Sequence, residues 1–130
     1  MAGTTTHATA FRQAVANLLG DNVDSGKLVF RITGSTANAP STPVATLTLN
    51  AAAFGAADGS AIITAGAITS DTNAAGGVIA FATIQSSADV IKAHCTVGTS
   101  GDAINVTSGG LTVTAGDTVS CSALTYTAMP

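Results

Sequence analysis

A chain of 130 residues has room for one domain around one core, and only 8% of it is charged, against roughly 25% in an average soluble domain. The net charge is −3 and the four basic residues, Arg12, Lys27, Arg31 and Lys92, are scattered, so the clustered cations that bind nucleic acid or seat a basic helix on a membrane surface are missing. No nucleic acid or membrane partner is expected, and no apolar run reaches the ~20 residues needed to cross a bilayer.

The opening stretch MAGTTTHATAFRQ lacks the basic and apolar regions of a signal peptide, which predicts a protein made without Sec export or already processed. Its continuation predicts a helix over about residues 6–19. Phe11, Val15, Leu18 and Leu19 recur at helical spacing, with Arg12, Gln13 and Asn17 elsewhere. Thr5 or Thr6 stands where a helix start is capped, and Gly20 where a left-handed residue ends one. Such a helix either packs on its own domain or serves as an arm that docks on a neighbouring subunit.

From Lys27 the period changes to two. The runs LVFRIT, VATLTL, AIITAGAIT, VIAFATIQ, VIKAHCTV, INV, LTV and TVSCSALTYT are short and rich in β-branched residues. The breaks between them, among them AADG, SDTNAAGG, TSGG and TAGD, carry the Gly, Asp, Asn and Ser of turns. The expected architecture is therefore mainly β: an antiparallel β-sandwich or jelly roll over residues 26–130, preceded by an arm and short helix over residues 1–22. Val, Ile, Leu and Ala build its core, with Phe30, Phe54 and Phe81 as larger fillers. Ala contributes far less than the roughly 1.5–3 kcal/mol of a buried Val or Leu. A modestly stable monomer that gains from burying more surface, as a dimer or trimer or on a scaffold, is the expectation.

Catalytic signatures are weak throughout. GDNVDSGK, residues 20–27, has five residues between its glycines where a P-loop has four, and Leu28 stands in place of the Ser or Thr. His94 and Cys95 are adjacent in a strand run, so their side chains point to opposite faces and form no dyad. The seven acidic residues are all Asp, nearly all at turns, where Asp bonds local backbone. The loops at Ser70–Asn73 and Asp102–Asn105 offer one carboxylate each, fewer than a calcium loop supplies. Zinc-spaced Cys and His groups are absent. No catalytic residue, cofactor or metal is expected, and the protein is read as a non-enzyme. Cys95 and Cys121 permit either one disulfide or two buried thiols. Asn105-Val106-Thr107 is a glycosylation sequon in form only. The break at Gly98–Asp102 lacks both the lysine of a phosphate cradle and the ligands of a metal loop. It reads as a corner between two strands, with Gly98 and Gly101 free to take positive φ.

Three phrases carry a resemblance. VGTSGDAINVTSGGLTVTAGDTVSCSALTYTAMP (residues 97–130), VATLTLNAAAFGAADGSAIITAGAITSDTNAAGG (residues 44–77) and a short helix leading into DSGKLVFRITG resemble small virion proteins of tailed bacteriophages, a group connected with jelly-roll head decoration, or cement, proteins. Phe81 departs from the pattern, standing where a larger aromatic is expected. The resemblance implies a structural protein made in the host cytoplasm and bound to the outer capsid surface of the virion. There it would tie the major capsid protein lattice together and associate with copies of itself. It transfers no catalytic residues. The first candidate for the capsid contact is the helix, through Phe11, Arg12, Val15, Leu18 and Leu19; the stretch from Gly34 to Pro43 is the second. Deleting residues 1–19 would then abolish capsid binding and leave the β domain folded. The alternatives are a tail-tube, tail-terminator or head-fibre subunit, or a carbohydrate-binding or adhesin β-sandwich.

Overall fold

A computed structural model describes residues 6–32, 42–98, 104–105, 110–121 and 124–128. The fold is mainly β with one helix. Helix α1 spans Thr9–Asn22 and is followed by β1 (Lys27–Arg31), β2 (Pro43–Leu49), β3 (Ile62–Thr64), β4 (Ile68–Thr69) and β5 (Gly77–Val78). The remaining strands are β6 (Phe81–Gln85), β7 (Ile91–Gly98), β8 (Ile104–Asn105), β9 (Thr112–Val113) and β10 (Thr125–Thr127). Six of them form one sheet in the order β4-β2-β1-β6-β7-β8, while β10 pairs with β3 and β5 with β9.

The central strands alternate as the two-residue period predicts, but both of their faces are covered. Leu28 and Phe30 of β1, Leu47 of β2 and Ala82 and Ile84 of β6 fill the main core together with Ile79, Val97 and Leu124. On the opposite face Val29, Arg31, Phe81, Thr83 and Gln85 are buried as well. Phe81 therefore lies outside the main core, and the ring of His94 stacks on it at 4.5 Å between centroids. Phe30 takes the core role expected of it, and Phe54 touches both the main cluster and a smaller one under the helix.

Several expected strands are interrupted. AIITAGAIT supplies β3 to one sheet and β4 to another: Ala65 still bonds Leu124, continuing the register of β3 with β10, and past Gly66 the chain pairs with β2 through Ile68 and Thr69. VIAFATIQ divides into β5 and β6, since the Ile79 N–H turns to the Leu111 carbonyl and the Ala80 N–H to that of Arg31. Among the described residues all pairings are antiparallel except β7 with β8, where Val97 faces Ile104 and Gly98 faces Asn105 in parallel. A parallel neighbour ordinarily needs a long crossover. Here β8 lies beside only the last two residues of β7; residues 99–103, which join them, lie outside the described residues. Gly98 is the last residue of β7 and Ile104 the first of β8, so the break falls between two strands. Gly101 and Asp102 lie outside the described residues.

Helix α1 also differs from its expected form. Ala8 is its N-cap, without a side-chain capping bond; Thr6 does not cap it, and Thr5 lies outside the described residues. Gly20 is inside the helix and buried. A methyl group there would sit 3.2 Å from Phe54 Cβ, so glycine serves close packing and not chain reversal. The turn out of the helix belongs to Gly26, whose N–H bonds the Val23 carbonyl. Added at Gly26, a Cβ would lie 2.0 Å from the Gln85 carbonyl oxygen. Only glycine fits between the helix end and β6.

Candidate functional site

Successive residues turn by about 100° around a helix, which sorts the five expected contact residues. Phe11 and Leu18 lie seven residues apart on one line and are exposed, 56% and 63% respectively. His7, which precedes the helix, stacks on Phe11 with ring centroids 5.3 Å apart. Roughly opposite, about 140–180° away, Ala16 and Gly20 form the buried side of the helix, with Val23 just beyond its end. Val15 and Leu19 fall between the two sides. Val15 packs against the cluster of Ala16, Ala61, Ile63 and Ala128, and Leu19 against the main core. Small residues take the buried side because the helix passes close over β3; the larger apolar side chains are left to the edge and the outside.

Arg12 is committed inward. Its Nη2 donates to the Ala128 carbonyl at 3.0 Å and lies 3.4 Å from that of Ser60. Gln13 donates to the Asp58 carbonyl at 2.8 Å, and Asn17 accepts from the Ala57 N–H at 2.8 Å. Five residues named as one surface therefore divide. Phe11 and Leu18 form an apolar face in solvent, and Arg12, Val15 and Leu19 hold that face in place. The helix is part of the β domain's packing, since removing it would strip the cover from Ala61 and Ile63. Of the second candidate stretch, residues 34–41 lie outside the described residues.

Charged groups are largely occupied within the molecule. Asp24 accepts from Ala53, Asp58 from Ser60 and Ile62, Asp71 from Thr46 and Asn73, and Asp117 from Thr114, all through backbone N–H groups. Asp58, Asp117 and the bond of Asp71 to Asn73 show the local turn role that was expected, whereas Asp24 to Ala53 and Asp71 to Thr46 tie together segments far apart in the chain. Lys27 pairs with Asp89 at 2.6 Å, which holds the Asp89 carboxyl below its usual range. Among the described residues no group of three or more His, Cys, Asp or Glu side chains could hold a metal. Cys95 and Cys121 are half-buried thiols packed against the core, and burial pushes the Cys95 thiol up.

One polar cluster was not singled out from the sequence. On the outer face of β1 and β6, Arg31 Nε donates to Thr83 Oγ1 at 3.0 Å and Nη2 to Gln85 Oε1 at 2.6 Å. The Thr83 hydroxyl also donates to Gln85 Oε1 at 3.0 Å. Arg31, Thr83 and Gln85 are only 8%, 0% and 5% exposed. The available signal was an Arg in LVFRIT and a Gln in VIAFATIQ, each within a run otherwise suited to a core. Alternation would place them on a solvated face, and only the covering of that face makes them a buried network.

No family model matches the chain, and comparisons with curated proteins and with solved structures find no match either.

Proposed function

We propose that this protein is a capsid decoration protein, bound through the Phe11–Leu18 face of α1 to the major capsid protein on the outside of a phage head. The observation that carries the reading is that apolar face, rigidly mounted on a β domain whose charges are mostly engaged internally. A lattice offers many equivalent sites, so modest apolar contacts suffice when several are made together. The resemblance to small virion proteins of tailed bacteriophages supports the same reading. So does the shortage of free charge, which leaves contact to apolar burial. The jelly-roll description of the β domain, its self-association as a dimer or trimer, its manufacture in the host cytoplasm and its non-enzymatic role belong to this proposal.

Co-sedimentation of the full chain with undecorated capsids, before and after expansion, tests it. Saturable binding at a fixed ratio to the major capsid protein is expected. Absence of binding to either shell, together with stable rings in solution, would instead favour a tail-tube role.

A further inference from the structure

The outer sheet face holds a cavity of about 340 Å³ beside the Arg31 network. Its polar wall is made by Lys27, Arg31, Thr46, Gln85 and Asp89, and its apolar wall by Val29, Pro43 and Ile91. Two of the chain's four basic residues, Lys27 and Arg31, meet at this one place, in a protein with only 8% charged residues. Arg31 and Gln85 are more than nine-tenths buried. Burying such groups has a desolvation cost that apolar residues of similar size would avoid. At the rim Asp89 closes the turn between β6 and β7, its N–H bonding the Ser86 carbonyl, with the left-handed backbone, φ 63°, that Asp takes more readily than most residues. Its Oδ1 lies 2.6 Å from Lys27 Nζ and 3.4 Å from Gln85 Nε2.

Donors and acceptors thus stand side by side. An anion would meet the Asp89 carboxylate, and a cation would meet Lys27 and Arg31. A hydroxyl group both donates and accepts, and it enters this mixed field without bringing a charge to desolvate. Pro43 and Ile91 supply the accessible part of an apolar wall suited to the C–H face of a sugar ring, with Val29 buried beside them. The volume is at the low end of the roughly 300–1,000 Å³ of small-molecule pockets, which limits the occupant to one or two rings. We propose that this cavity binds a neutral saccharide unit. The site is on a different element from the Phe11–Leu18 face and does not depend on the capsid reading.

The test is methyl NMR of the full chain labelled at Ile and Val. Glucose, galactose, mannose, N-acetylglucosamine and their disaccharides are titrated in turn, with acetate and inorganic phosphate as comparators. Saturable shifts of the Val29 and Ile91 methyls with at least one saccharide are expected. Asp89→Gly, which relieves the positive φ and removes the carboxylate, is expected to weaken that binding at least tenfold. The proposal is overturned if no saccharide moves those methyls, if acetate or phosphate moves them instead, or if Asp89→Gly binds as well as the parent chain.

Discussion

Replacing both Phe11 and Leu18 by Ala separates the contact surface from the fold. Full burial of a side chain of this size contributes about 1.5–3 kcal/mol. Since 56% of Phe11 and 63% of Leu18 face solvent, docking has about 1.5 kcal/mol to gain at each. Losing both would cost about 3 kcal/mol per site, a roughly 150-fold weaker association. The same exposure means that folding makes little use of these atoms, so urea midpoints of the variant and the parent should nearly coincide. Co-sedimentation with expanded capsids over a range of protein concentrations reads the first quantity, and equilibrium unfolding reads the second. Parent-like saturation by a fully folded double variant would refute the assignment of the helix face. A large loss of stability would show that the face is not free in the isolated chain.

Other outcomes follow from the same geometry. Capsid binding should change little with salt, because the contact offers few unengaged charges; a steep salt dependence in the co-sedimentation series would contradict this. Gly26→Ala puts a methyl group 2.0 Å from the Gln85 carbonyl oxygen and should cost about 3 kcal/mol or more, read from urea unfolding or from failure to obtain folded protein. Ser25→Gly removes an exposed left-handed residue, φ 55°, and should stabilise by about 0.5 kcal/mol after the greater freedom of unfolded glycine is counted. Arg31→Ala breaks the bonds to Thr83 and Gln85 and should destabilise by about 2 kcal/mol, measured the same way. Asp89 has its pKa depressed by the hydrogen bond and charge of Lys27. Its contribution is therefore present above the ordinary carboxylate pKa of about 4 and lost as pH falls through the lower folded value. Asp89→Asn should flatten that part of the acid unfolding curve, and an unchanged curve would assign the acid sensitivity elsewhere.

Local pattern was enough to read the element types. The two-residue period of LVFRIT and VATLTL specifies strands because alternate side chains share a face. Asp58, Asp71 and Asp117 announce turns because a short carboxylate reaches nearby backbone N–H groups. The apolar stripe on residues 11–19 likewise marked a helix, but not which of its sides would be buried. Ala16 and Gly20 took that role because a helix passing close over β3 and Phe54 excludes larger side chains, a constraint set by a neighbour over 30 residues away. Distance in sequence also explains the division of AIITAGAIT between two sheets, where Ala65 bonds Leu124 and Ile68 pairs with Leu49. The parallel β8 and the buried Arg31–Thr83–Gln85 network belong to the same class. Periodicity records how a segment alternates, so by itself the sequence determined a mainly β protein with one amphipathic helix and turn-bound aspartates. Which faces became covered, and so which polar residues came to line a cavity, was decided only when distant segments packed together.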